Sequence, residues 1–357
     1  MLRSLNRTRN FNAKYDPQRY LPQEYLKFVA EGTMGMGGYS GHVDSLQIID
    51  KTLSCNKIMD CMKSFSPIVA DINCDAVGVG CEVAANDKLM SLRLNVRGPS
   101  SVTLIQSVLS SLDKFPSLQR LEIYGGDIDT SELEVKGTGS VKHFSLSFKS
   151  AHYALVGLES MGNLDELGVY NKYGSGIVYG LPSTISSLSL GNVIVSDLTW
   201  NAFTSFEKLE SLSIDNNVSG SSDWLVYILG LTNLKRLHIS DRIEGGDLLA
   251  IAGSFGDLKE LELTGCKISS LPTFKNLEML EIHNYGDELD VSNLLRFKKL
   301  ERADIISEYK KFDHRTFFQN MNQMSALSRH RVFYLKSHEK KSKNIYKNNE
   351  NSFIIRD

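Results

Sequence analysis

LKRLHI at residues 234–239, LKELEL at 258–263 and LEMLEI at 277–282 repeat one pattern, L-x-x-L-x-L, with aliphatic residues at places 1, 4 and 6. Working outward from this stretch, the same pattern occurs at Leu209, Leu212 and Ile214, at Leu164, Leu167 and Val169, at Leu118, Leu121 and Ile123, and at Leu89, Leu92 and Leu94. Chance placement in a chain of this composition gives on the order of one or two such triplets, and here there are seven. Successive copies start 29, 46, 45, 25, 24 and 19 residues apart. These gaps are single or double multiples of a period in the low twenties, so the doubled gaps predict hidden copies. Val141 with Phe144 and Leu146, and Ile185 with Leu188 and Leu190, stand where they are required. Leu300, Ala303 and Ile305 continue the phase toward the C-terminus, and Leu46 with Ile48 and Ile72 with Cys74 continue it toward the N-terminus.

A strand alternates its side chains between two faces, so places 4 and 6 point one way while 3, 5 and 7 point the other. One such unit cannot bury its apolar edge alone. A stack of them, each returning through a loop or helix, buries a continuous hydrophobic column and aligns a parallel sheet. The expected fold is therefore α/β, a solenoid with a curved parallel sheet on its concave face and mixed helices and turns on its convex face. Helices are expected where the repeat is long, at Leu104–Leu112 and Trp224–Leu229, and bare turns in the short unit containing Leu271 and Pro272.

These ladders resemble the leucine-rich repeat superfamily, of the intracellular kind with irregular repeat lengths. That family's ninth-place Asn or Cys is matched by Asn217 and Cys266, while Asn171, Asn192 and Asn284 stand one place early. LPSTISSLSLGN at 181–192 resembles the Leu-Pro-led repeats of families that include F-box proteins. This resemblance implies an adaptor or substrate receptor, including one for a ubiquitin ligase. Leu21, Pro22 and Glu24 are similar to the start of an F-box. Gly32, Gly35, Gly37, Gly38 and Gly41 follow, each disfavouring helix by about 1 kcal/mol, so no clear F-box is expected. Tyr20–Glu31 reads instead as a short helix capping the first repeat. The resulting division is a basic tail and capping segment at 1–42, the solenoid at 43–335, and a disordered, solvated basic tail at 336–357.

At 357 residues, 41% hydrophobic and 23% charged, the composition is that of a globular chain. No apolar run is long enough to span a membrane. Five sparse cysteines make no disulfide framework and fit a reducing compartment, so an intracellular location, cytoplasmic or nuclear, is expected. The net charge of −2 conceals a split. Residues 1–27 hold six basic and two acidic residues, 296–357 fifteen and seven, and 28–295 nineteen and thirty-three. The first fifteen residues carry Arg3, Arg7, Arg9, Lys14 and no acid, a composition shared by mitochondrial import signals. A mitochondrial assembly factor is accordingly the alternative reading. The C-terminal Lys-rich segment lacks interleaved aromatics, and no specific nucleic-acid binding is expected from it.

The glycine cluster GTMGMGGYSG at 32–41 lacks the following Gly-Lys-Ser/Thr of a phosphate loop. It reads as a loop, and an enzyme with a site there is a distant alternative. The cysteine spacing does not suit zinc, and no catalytic motif emerges. The protein is read as a non-enzyme, with no cofactor and no metal.

Register then selects the candidate binding residues. Place 5 gives Arg93, Glu122, Ser145, Gly168, Ser189, Ser213, His238, Glu262, Glu281 and Asp304, and place 3 adds Arg236, Glu260 and Arg302. Place 7 adds Tyr124, Tyr170 and His283, with Phe148 and Tyr173 just beyond. Tyr and Arg carry a disproportionate share of interface energy. The expected site for a protein or peptide partner is thus the concave face, through Tyr124, Phe148, Tyr170, Tyr173, Arg236, His238, Glu260, Glu262, Glu281, His283 and Arg302.

Overall fold

The computed structural model describes residues 25–29, 45–49, 53–77, 82–98, 100–137, 139–215, 224–241, 243–284, 289, 292–307, 332–337, 345–348 and 351–356. Asn217, the 32–41 glycine cluster and the first fifteen residues lie outside them. The chain forms two compact units, 1–185 with 192–199, and 186–191 with 200–357.

In the first unit the strands run β1 (Tyr25–Val29), β2 (Ser45–Ile49), β4 (Val69–Val77), β5 (Ser91–Arg97), β6 (Arg120–Glu134), β7 (His143–Val156) and β8 (Glu166–Val178). Each pairs in parallel with the next. The short β3 (Leu53–Ser54) lies beside β4, and β10 (Val193–Val195) beside β8. In the second unit β9 (Ser187–Gly191), β11 (Ser211–Asp215), β12 (Arg236–Ser240), β13 (Glu260–Cys266), β14 (Met279–Asn284), β15 (Arg302–Ser307) and β16 (Val332–Ser337) are likewise consecutive and parallel. This is the α/β ladder of a leucine-rich repeat fold, with one strand per L-x-x-L-x-L copy. The hidden copies are strands too, β7 and β9, and all their aliphatic members are buried.

Why the copies align is visible at place 2. The Met90 carbonyl accepts from the N–H groups of both Gln119 and Arg120, the Gln119 carbonyl from Lys142 and His143, and the Lys142 carbonyl from Asp165 and Glu166. The second unit repeats the arrangement at Glu210, Lys235, Lys259 and Glu278. One carbonyl per repeat thus takes two donors from the next, which fixes register before any side chain packs. Asn233 and Asn276, immediately before the first Leu of their repeats, add a side-chain link by donating to the Glu207 and Gly256 carbonyls at 2.7 and 2.8 Å. Inside, Leu92, Leu121, Leu212, Leu237, Leu261 and Leu280 are at most 2% exposed. Each such side chain contributes about 1.5–3 kcal/mol by leaving water.

The early asparagines now have a physical account. Strict alternation continues past place 6, so place 8 faces inward, and there Asn171 and Asn284 are buried. Asn284 clamps the backbone of Ile268 from both sides, its Nδ2 donating to the Ile268 carbonyl and its Oδ1 accepting from the Ile268 N–H, each at 3.1 Å. Cys266 reaches the same inward row from place 9 because the strand bulges at Gly265, which has φ +83°. Asn171 and Asn192 exchange side-chain-to-carbonyl hydrogen bonds at 3.3 and 2.8 Å.

Helices α1 (Cys55–Phe65) and α2 (Ser101–Leu109) return the chain between strands of the first unit, and α4 (Trp224–Ile228) and α5 (Gly245–Ser254) in the second. In sequence, α3 (Asp197–Ala202) stands between them. Helix was expected at α2 and α4, and the short unit at Leu271–Pro272 is bare as expected. The sequence reading passed over α5, whose Gly245-Gly246 start argues against helix. Its start is held by a reciprocal capping box between Glu244 and Asp247.

Two terminal expectations change. Tyr25–Val29 is a strand beside β2 rather than part of a helix, in keeping with its alternating Leu26 and Phe28. At the other end β17 (Ile345–Asn348) and β18 (Asn351–Arg356) pair antiparallel, and β18 pairs in parallel with β16, so strand pairing extends past residue 335. Among the described residues no helix is long and apolar enough to cross a membrane.

Candidate functional site

Each unit presents an outward sheet face whose rows follow from register. In the first unit Asp71, Arg93, Glu122, Ser145 and Gly168 stand side by side across five strands. Glu122 is nearly buried because two guanidiniums close over it. Arg93 donates through Nε to Oε2 at 2.7 Å, and Arg120 through Nη1 to Oε1 at 2.9 Å. Burial works to raise the Glu122 carboxyl, but the hydrogen bonds from Arg93 and then Arg120 outweigh it and hold the group below the usual carboxylate range. Bonding to Glu122 in turn raises the Arg93 guanidinium. The Arg93 guanidinium carbon lies 6.0 Å from the centre of the Tyr124 ring, which is 36% exposed.

Tyr124 and Tyr170 flank Ser147 in the place-7 row. Tyr170 leans over Gly168, where a Cβ would come 3.1 Å from its Cε2. Gly168 is therefore roofed by an aromatic ring.

Phe148 and Tyr173 need correction. Phe148 is 2% exposed and belongs to the core, because place 8 faces inward. Its ring fills the room left by Gly125, directly opposite on β6, and meets Tyr153 edge-on at 5.3 Å between ring centres. Tyr173 is 56% exposed but stands where the in–out alternation of β8 breaks, next to Gly174 at φ +92°. It lies outside the regular outward row, with the Lys172 ammonium 5.4 Å from its ring.

In the second unit register gathers the remaining seven candidates on four adjacent strands. Arg236, Glu260, Met279 and Arg302 form the place-3 row, and His238, Glu262, Glu281 and Asp304 the place-5 row, continued on β11 by Ser213. Thr264 and His283 stand in the place-7 row. His238 is the hub. Its Nδ1 is 3.3 Å from Ser213 Oγ, and its Nε2 lies 3.4 Å from Asp215 Oδ1 and 3.6 Å from Glu262 Oε1. His283 Nε2 is 3.2 Å from Glu281 Oε1, and Arg302 donates through Nε to Asp304 Oδ2 at 3.0 Å.

Ser213, His238 and Asp215 have the residue types of a hydrolytic triad. Ser213 sits mid-strand, however, paired with Ser189 on one side and His238 on the other, so neighbouring N–H groups are spent in the ladder rather than gathered as oxyanion donors. What the arrangement does chemically is hold carboxylates, imidazoles and guanidiniums at fixed spacing. The sequence reading missed Asp215 and Arg120 as members. Both stand at outward places, Asp215 at place 7 of the Leu209 copy and Arg120 at place 3 of the Leu118 copy, so register is the signal that marks them.

No family model matches the sequence, and neither does any curated protein. Among solved structures the chain is similar to an internalin from Listeria monocytogenes, at 15% identity and a TM-score of 0.37, over 83% of this chain and 79% of that one.

Proposed function

We propose that the protein is a non-catalytic recognition module, an adaptor or substrate receptor in a larger assembly, whose protein or peptide partner docks on the outward face of β12–β15. The observation that carries this reading is the aligned array of Arg236, His238, Glu260, Glu262, Glu281, His283 and Arg302 on four in-register strands. Strands about 4.8 Å apart fix the spacing of these groups before any partner arrives, so little ordering entropy is lost on binding. Glu260, Glu262, Glu281 and Asp304 outnumber Arg236 and Arg302 there. The face therefore steers a basic surface toward itself.

Affinity purification of the full chain, followed by binding of the recovered partner to the Glu262→Lys/Glu281→Lys double variant, tests this. A stoichiometric partner is expected, with affinity for the double variant reduced at least about tenfold and a weaker salt dependence. Lys259→Ala, which removes the edge pair of Lys259 with Glu278 at 3.1 Å, serves as the control that leaves binding intact. A partner indifferent to both charge reversals overturns the proposed face.

A further inference from the structure

The long strands β6, β7 and β8 each carry a second limb. After alternation breaks near 126, 149 and 173, pairing resumes at Asp127–Glu134, Ser150–Val156 and Tyr173–Val178, with β10 added beside β8. In this limb Leu133, Leu155, Val178 and Val195 point into the core at 0% exposure. Their neighbours point out, and one outward row reads Glu132, Ala154, Ile177, Ile194 across four strands. Val156 stands one step further along β7, and Tyr179, 41% exposed, follows the end of β8.

This outward composition differs from that of the recognition face. SLSLG and RLHIS, at β9 and β12, alternate polar and apolar, as strands with one solvated face do. By contrast Tyr153–Val156 reads YALV and Val193–Val195 reads VIV, without alternation. Strands read as continuous apolar runs when both of their faces are covered. Ala154, Ile177 and Ile194 are half-buried, and contiguous apolar residues in an outward row are the kind of patch that marks an interaction surface. The first strand of the row supplies charge. The second limb of β6 carries Asp127, Asp129, Glu132 and Glu134, faced by Lys136 just past its end, 2.8 Å from Glu134, and by Lys149 on β7, 4.0 Å from Asp127.

We propose that the second-limb face Ala154–Ile177–Ile194, bounded by Glu132, is a second docking surface, and that its occupant is an amphipathic helix of another protein with a Lys or Arg at the end facing β6. Geometry fits a helix laid across the strands. Row positions are about 4.8 Å apart. Successive turns of a helix bring an apolar stripe round every 5.4 Å or so. Three consecutive contacts cover Ala154, Ile177 and Ile194, and one further turn brings a cation to Glu132. The surface shares no residue with the face of β12–β15, so loss of one leaves the other to be tested alone.

The test uses the full chain and two synthetic helices of about four turns, one of Leu and Lys with an apolar stripe, the other its Leu and Glu counterpart. Hydrogen exchange with and without each peptide reads the site. The Lys helix is expected to protect 150–156, 173–178 and 193–195 and to bind about tenfold more tightly than its Glu twin. Ile177→Thr and Ala154→Ser, both compatible with a strand, are expected to abolish that protection, and Glu132→Lys to remove the preference for the Lys helix. Equal binding of the two peptides, protection elsewhere, or no binding overturns the proposal. So does a dimer of the chain alone that Ile177→Thr dissolves, since the occupant is then a second copy.

Discussion

Gly125 on β6 and Phe148 on β7 stand in register, and the Phe148 ring takes the space that a Cβ on Gly125 would need, with its Cδ1 only 2.4 Å from that point. Substituting Gly125→Ala forces the ring or the strand to shift, a cost of about 1–3 kcal/mol for overpacking. Phe148→Ala empties the same site and costs about 3–5 kcal/mol. Urea unfolding of both variants checks this. Partner binding to Phe148→Ala is expected to be unchanged under conditions where it stays folded, because the ring contributes nothing to the outward face.

Asn284 gives the second prediction. Its side chain satisfies both the N–H and the C=O of Ile268 in a site with 0% exposure. Asn284→Ala orphans both, at about 1–3 kcal/mol for each buried group left unpaired, so a loss of several kcal/mol in equilibrium unfolding is expected. Ser240→Ala, at an outward place on β12, is expected to change stability by less than about 0.5 kcal/mol. If the two variants unfold alike, the clamp is not what holds the turn after β13.

Much of this fold was legible in the sequence because alternation and register are the same physics: Leu237, Leu261 and Leu280 had to share a face, and so His238, Glu262 and Glu281 had to share the other. What escaped was where alternation ends. FSLSF at 144–148 alternates far enough to turn Phe148 inward with Phe144 and Leu146, but nothing in the KS that follows marks the break, where Gly125 stands across the strand. The second limbs escaped for the same reason. YALV at 153–156 and VIV at 193–195 carry no period to read, whereas the asparagines before Leu234 and Leu277 are visible in N-L-x-x-L.

The Arg93–Glu122–Arg120 cluster makes stability depend on acid. Burial opposes ionisation of Glu122, yet its hydrogen bonds from Arg93 and Arg120 hold the folded carboxyl below its unfolded value. A depressed carboxyl contributes stability that is present above the unfolded pKa and lost as pH falls through the folded one. Both arginines are about half exposed, at 53% and 50%, so solvent screening limits the cluster to about 1 kcal/mol. Unfolding free energies of wild type and Glu122→Gln are expected to differ at neutral pH and to converge below about pH 4. A difference that does not shrink as pH falls below the ordinary carboxylate range refutes the assignment.

Cys266 titrates in the opposite sense. Burial pushes its thiol up to about 12, partly offset by a backbone hydrogen bond, and its S–H points to the His283 carbonyl at 3.4 Å. In the unfolded chain the thiol ionises near 8.5, so above that pH the folded protein holds a proton that the unfolded one has released. Stability therefore falls as pH rises from about 8.5 toward 12. Replacing the residue by Ser, which does not ionise there, is expected to flatten this part of the stability curve. The thiolate is the reactive species, so Cys266 in the folded protein is also expected to resist alkylation by iodoacetamide at pH 8. Peptide-resolved mass spectrometry should find it modified only after denaturation, and rapid native modification would contradict the burial that places it beneath β14.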